Sequence, residues 1–140
     1  MSKIGILHPG EMGVSIAASA INNGHEVYWV SQGRSEKTRL RAEKYNLLEV
    51  ESMIRLCQMC EVIISVCPPH AAENIAHRVI NMGFKGLYVD ANAIAPQRCV
   101  KLGGEMKAAG IHFVDGGIIG GPAWKPKETE SKTALFAAKR

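Results

Sequence analysis

Gly10-Glu11-Met12-Gly13 is the segment of this 140-residue chain whose residue types and spacing best fit a ligand. It stands between an apolar run, Lys3-Ile4-Gly5-Ile6-Leu7, and a stretch of helical spacing from Glu11 to Asn22. A glycine where a strand turns into a helix lets an anion approach the N–H groups of the helix start. A second glycine one turn on lets that helix sit close to the strand. The pattern departs from the full G-x-G-x-x-G fingerprint, because its first glycine position holds His8, followed by Pro9. His8 stands where it could donate to a phosphate. A plain strand-to-helix turn would also use these glycines, so the weight of the match comes from its context: strand, turn, then a helix rich in small residues such as Ala17 and Ala18.

A second group follows the next apolar run. A site for NAD places an acid roughly 20 residues past the glycines, to bond the ribose hydroxyls. Here the positions read Ser31-Gln32-Gly33-Arg34-Ser35, with no carboxylate before Glu36 and with Thr38 and Arg39 a turn later. A guanidinium flanked by hydroxyls suits a ribose 2′-phosphate, which a carboxylate would repel. Ser31, Arg34 and Ser35 therefore point to NADP (NADPH) rather than NAD. The other reading is a solvated basic loop ahead of a surface helix.

The remaining reactive side chains are less specific. Cys57-x-x-Cys60 has no second Cys or His pair at zinc-like spacing, so buried packing thiols are expected and no metal site. Cys67 is expected to be a small packing residue, and His25, His70, His77 and His112 are scattered. Hydrophobic residues make up 46% and charged ones 21%, with a net charge of +4 spread along the chain and few aromatics. That balance argues against a nucleic-acid surface. No run is long and apolar enough to span a bilayer, no secretory leader is visible, and unpaired cysteines suit a reducing compartment. A cytoplasmic protein is expected.

Strands are expected at Lys3–Leu7, His25–Val30, Val62–Val66, Leu87–Asp90 and, last, Ile111–Val114. Helices are expected over Glu11–Asn22, from an N-cap at Ser35 to about Lys44, over Leu48–Met59, His70–Met82 and Ala95–Ala109. Alternating strands and helices, with strands that are continuously apolar, imply an α/β fold: a Rossmann-type, doubly wound parallel sheet covered on both faces. Residues 1–124 form that domain. Residues 125–140, polar apart from Ala134-Leu135-Phe136, read as a tail or the stub of a further segment.

Taken together, Ile4-Gly5-Ile6-Leu7-His8-Pro9-Gly10-Glu11-Met12-Gly13 resembles the N-terminal motif of the β-hydroxyacid dehydrogenases, the group of 6-phosphogluconate and 3-hydroxyisobutyrate dehydrogenases. The likeness is greatest to its 6-phosphogluconate-dehydrogenase-like branch. Ser65-Val66-Cys67-Pro68-Pro69 resembles the family's strand-end loop beside the cofactor ribose, which implies roles there for Cys67, Pro68 and Pro69. Asp90-Ala91-Asn92-Ala93-Ile94-Ala95-Pro96 resembles the segment whose polar residue lies near the nicotinamide, which implies Asn92. Asp115-Gly116-Gly117-Ile118-Ile119-Gly120-Gly121 resembles the substrate loop, which implies approach of substrate to the backbone at Gly120 and Gly121; the family serine there is Ile119.

The resemblance implies hydride transfer between NADP and a hydroxyacid-type substrate. In the family a lysine of a C-terminal helical domain acts as general acid and base, and the same domain makes most of the contacts of the homodimer. No tail lysine (Lys125, Lys127, Lys132, Lys139) stands in the family's lysine motif. The chain is therefore expected to lack the helical domain, to supply the cofactor half of such an oxidoreductase, and to take a small-molecule substrate only when completed by that domain. The alternative is a non-catalytic NADPH-binding regulatory or structural module.

Overall fold

The computed structural model describes residues 2–7, 11–92, 94–120 and 133–139, with side chains for 2–7, 13–92 and 94–116. In chain order the elements are β1 (Lys3–Leu7), α1 (Glu11–Asn22), β2 (Glu26–Val30), α2 (Glu36–Lys44), β3 (Leu48–Val50), α3 (Met53–Met59), β4 (Val62–Ser65), a 3-10 turn (Pro69–Ala71), α4 (Ala72–Asn81), β5 (Leu87–Asp90), α5 (Pro96–Ala108), β6 (His112–Gly120) and β7 (Thr133–Lys139). They form one sheet in the order β3-β2-β1-β4-β5-β6-β7. The first six strands are parallel, and β7 runs antiparallel to β6. The chain winds outward from β1 through β2 to β3. It then returns to the far side of β1 with β4 and winds outward the other way. Leu7 and Ser65 lie opposite one another where the two directions part, and a crevice opens there beyond the carboxyl ends of the strands.

The period-2 alternation of the strands divides the core into two layers. Leu7, Tyr28, Ile63 and Tyr88 face α3, α4 and α5, meeting Leu56, Val79, Leu102 and Met106. Their neighbours Ile6, Val27, Trp29, Ile64 and Val89 face α1 and α2, meeting Ile16, Ala17 and Ala42. Both sheet faces are thus dry, as uninterrupted apolar strands require, and each fully buried large side chain contributes roughly 1.5–3 kcal/mol.

Local signals set most boundaries. Ser35 Oγ accepts from the Thr38 N–H at 3.2 Å and starts α2. Gly24, Gly83 and Gly110 take positive φ beyond α1, α4 and α5. Two expectations are corrected. Leu48–Met59 is not one helix: Leu48–Val50 forms β3, and α3 begins only at Met53. The exposed edge of β2 takes Leu48, Glu49 and Val50 as partners to Tyr28, Trp29 and Val30, after a turn in which Asn46 adopts φ 63. Ser52 Oγ then accepts from the Arg55 N–H at 3.3 Å and starts a fresh helix. A short apolar run fits either period, and here the sheet edge decides. Nor is the strand after α5 short and last. It runs on through the glycine-rich segment to Gly120, and Thr133–Lys139, within the stretch expected to be a tail, pairs with it, Gly117 opposite Phe136. The antiparallel partner satisfies backbone groups that this glycine run has no side chains to shield.

Gly5 is where β1 and α3 approach most closely. A Cβ there would lie 2.9–3.1 Å from the Leu56 side chain, which is fully buried. Gly5→Ala is expected to cost about 1–3 kcal/mol by overpacking and Leu56→Ala about 2–5 kcal/mol by opening a cavity. Because the added methyl enters the space that the leucine vacates, the double variant should lose less than the sum of the two. Urea unfolding of the four proteins checks this, and strict additivity would show that the contact does not limit the fit.

Candidate functional site

At the carboxyl ends of β1 and β2 lies a cleft of about 470 Å³, counting its open mouth, lined by Ile6, Leu7, Val30, Gln32, Arg34, Met53 and Arg78. β1 and β2 supply an apolar floor, and Met53 adds to it from the start of α3. Gln32 and Arg34 come from the loop after β2, and Arg78 from α4. None of these lining residues is acidic. The cleft lies on the β1–β2 side of the topological switch point, beyond the carboxyl ends of the strands where open α/β sheets bind ligands.

The residues expected at a 2′-phosphate are not all in the cleft. Arg34 is, and it is exposed. Ser31 turns toward the sheet edge: its N–H donates to the Val50 carbonyl at 3.2 Å, and its Oγ lies 3.5 Å from the same oxygen. The Ser35 hydroxyl caps α2 and lies 3.1 Å from Thr38 Oγ1. Arg39 is committed to Glu49, Nη1 to Oε1 at 2.8 Å. Sequence reasoning found no acid before Glu36, but the fold also brings Glu49 to this loop from β3. Hydrogen bonding by Ser31, and then the charge and hydrogen bond of Arg39, hold the Glu49 carboxyl below the usual carboxylate range.

Between β4 and β5 the crest is braced by buried polar groups. Asn92 Oδ1 accepts from the Cys67 N–H at 2.6 Å, and its Nδ2 donates to Ser65 Oγ at 3.2 Å. The Asn92 N–H donates to Asp90 Oδ1 at 2.9 Å. Asn92 is 6% exposed, so its amide joins the two strand ends. The Cys67 thiol is half-buried, and burial raises its pKa, which leaves it a poor nucleophile. Pro68 and Pro69 are exposed. Arg98 fastens their turn to α4: Nη2 donates to the Pro69 carbonyl at 2.8 Å, while Nε donates to Glu73 Oε2 at 2.7 Å.

His8, Pro9, Gly10 and Gly121 lie outside the described residues. Glu11 and Met12 open α1 in backbone only, Gly13 is buried in its first turn, and Gly120 ends β6. Cys57 and Cys60 are free and buried, their thiols pushed up by burial to about 11 and about 12. Among the described residues no three His, Cys, Asp or Glu side chains converge as a metal site would require, and no helix is long and apolar enough to cross a membrane. Two features escaped sequence reasoning. Arg78 lies well along α4, with no motif to mark it. Arg98 is an ordinary helix cation until the fold sets it beside Pro69.

Asp90 is fully buried, and its Oδ2 finds no hydrogen-bond partner among the described residues. Desolvation, more than any neighbour, raises its pKa. The folded state therefore holds this proton more tightly than the unfolded chain does. Below the ordinary aspartate range Asp90 costs nothing; the penalty grows as pH rises through the interval up to its folded value and then stays constant. Asp90→Asn, which can keep the bond to the Asn92 N–H, should be more stable relative to wild type at pH 7 than at pH 3.5. Thermal unfolding of both proteins across that range is the measurement. A difference that does not vary with pH would show that Asp90 is not titrating in this way.

Residues 3–130 match the family model described as the NAD binding domain of 6-phosphogluconate dehydrogenase. An uncharacterized 28.5 kDa protein of Methanothermus fervidus is 31% identical over 121 residues, covering 84% of this chain and 45% of that protein. Among solved structures, a conserved protein of unknown function, noted for its structural similarity with 3-hydroxyacid dehydrogenases, superposes with TM-score 0.78 at 27% identity, covering 95% of this chain and 49% of the other. Two more distant structures share the fold. Mycobacterium tuberculosis 3-hydroxyisobutyrate dehydrogenase has TM-score 0.73 at 18% identity, covering 86% of this chain and 42% of its own. A Myxococcus stipitatus imine reductase variant in complex with NAD+ has TM-score 0.78 at 16% identity, covering 97% and 46%. The chain spans about half the length of the relatives that it matches. With the cleft beside the switch point and the strand order 3-2-1-4-5-6 before the final antiparallel strand, the match places this chain in the family of the NAD-binding domain of 6-phosphogluconate dehydrogenase.

Proposed function

We propose that this domain binds NADP in preference to NAD and serves as the cofactor half of a 6-phosphogluconate-dehydrogenase-like oxidoreductase acting on a hydroxyacid-type substrate. The observation that carries the reading is Arg34, an exposed guanidinium with no ion-pair partner among the described residues, in a cleft whose lining holds no acid. A dinucleotide phosphorylated on its adenosine ribose fits that chemistry: an apolar ring for Ile6, Leu7, Val30 and Met53, and a dianion for the cation. Of the acids near the loop, Glu49 is neutralised by Arg39 and Glu36 lies 4.0 Å from the same guanidinium; neither is among the lining residues.

Bound, the nicotinamide would supply the hydride chemistry. The chain's own residues hold and orient it. The segment Gly10-Glu11-Met12-Gly13, whose last three residues open α1, is assigned to the pyrophosphate, with His8 and Pro9 preceding it in sequence. Ser31 and Ser35 shape the Arg34 loop. The Cys67-Pro68-Pro69 loop, braced by Asn92, flanks the ribose and nicotinamide. Gly120 and Gly121 are assigned to substrate. Of the two acids paired between β5 and β6, Asp90 is buried and Asp115 is half-buried. The part we assign to this domain is cofactor binding. The four free cysteines suit the reducing cytoplasm, to which we assign the domain.

Calorimetric titration of the 140-residue chain with NADPH and with NADH tests this. NADPH should bind the more tightly, and Arg34→Ala should weaken NADPH by about ten- to a hundredfold, as loss of a charge-assisted contact does, while changing NADH little. Equal affinity for the two cofactors would remove the NADP assignment. Binding of neither would remove the cofactor reading.

A further inference from the structure

We propose that Arg78 is a second guanidinium of this nucleotide site, bracketing the phosphorylated adenosine end opposite Arg34, and a determinant of the preference for the phosphorylated cofactor. The inference rests on the reading of the cleft given above and adds to it a residue from a different element.

Arg34 and Arg78 belong to different parts of the chain, the loop after β2 and the helix α4, and the fold brings both to one cleft. Two guanidiniums facing a shared space repel one another unless an anion lies between them. The fold supplies carboxylates to other arginines: Arg39 holds Glu49, and Arg98 holds Glu73. It supplies none to the lining of this cleft. Among the described residues the Arg78 side chain makes no hydrogen bond or ion pair, and it is exposed. The third polar residue of the lining is Gln32, a neutral donor and acceptor, and the remaining four residues are apolar. The matching ligand has a flat apolar body and a compact anion at one end. A phosphate monoester held between two planar forks gains paired hydrogen bonds from each. A nucleotide lacking that phosphate gives the two guanidiniums no anion to hold, so the discrimination comes from contacts that the phosphate alone makes.

The test is calorimetric titration of wild type, Arg78→Ala, Arg78→Lys and Lys101→Ala with NADPH, NADH and adenosine 2′,5′-bisphosphate. Lys101 is an exposed cation on α5 outside the cleft lining, and its removal changes the net charge by the same amount. Arg78→Ala should weaken NADPH and the bisphosphate by about tenfold or more and leave NADH within about twofold, as expected for one charge-assisted contact. Arg78→Lys should fall between wild type and alanine, because it keeps the charge and loses the fork. The exposed position predicts unchanged thermal unfolding, which separates a binding loss from a folding loss. Equal weakening of NADPH and NADH would overturn the specificity role and place Arg78 against the nucleoside common to both. A matching loss in Lys101→Ala would reduce the effect to net charge and also overturn it. Preferential NADPH binding by wild type, unchanged in Arg78→Ala, would overturn this inference alone. Failure of wild type to bind NADPH would overturn the cofactor assignment and the inference with it.

Discussion

β1 is paired on both edges, by β2 and by β4, and a parallel strand so placed has to bury both faces. That requirement dictates much of what surrounds it. Ile6 goes to one layer and Leu7 to the other. Gly5 gives up its side chain so that Leu56 can fill the space above it. The same double pairing makes β1 the point from which the chain winds in opposite directions. The carboxyl end of β1 therefore has no crossover passing over it. The cleft lies beside the gap left by this topology, and Ile6 and Leu7 are at once core residues and its floor.

Around that gap the polar groups fall into two classes with different energetics. Those between β4 and β5 are buried and spent on one another. Asn92 ties Ser65 and Cys67 to the end of β5, and Asp90 accepts the Asn92 N–H at the cost of desolvating a carboxyl. Such a network fixes the geometry of a crest loop but has little left to offer a ligand. Arg34, Arg78 and Gln32 are the opposite case: exposed, and arranged around open space. Rigidity on one side of the crest and unspent charge on the other make a site that is organised before anything enters it.

The sequence carried most of the scaffold because its local and global signals agree. Lys3–Leu7 and Leu87–Asp90 are strands by composition and by pairing, and Ser35 caps α2 as its position implies. Leu48–Met59 misled because a short apolar run fits both periods. Only the unpaired edge of β2, which is not local to the run, turned its first part into a strand. The strand beyond residue 125 was hidden for a related reason, since its partner is a glycine-rich segment with no strand signature of its own. At the site, Arg34 was legible from its place after β2. That Arg39 is committed to Glu49 was not, because Glu49 arrives from β3. Arg78 was invisible, since a cation on an amphipathic helix reads as solvated surface until the packing of α4 is known.

The two rims of the sheet have unlike consequences for how the molecule meets copies of itself. One rim is β3, only three residues long, with Glu49 in its middle, its carboxyl held below the usual range by Ser31 and then by Arg39. A strand this short, carrying a charge, offers too few free backbone groups to template another chain. The other rim is β7, which reverses the strand direction. A second molecule adding there by repeating the parallel progression of β4, β5 and β6 would meet a strand of the wrong polarity. The parallel progression is thus not continued at either rim: β3 is short and charged, and β7 reverses the strand polarity. A partner strand at the β7 rim would have to enter a mixed sheet rather than extend the parallel one.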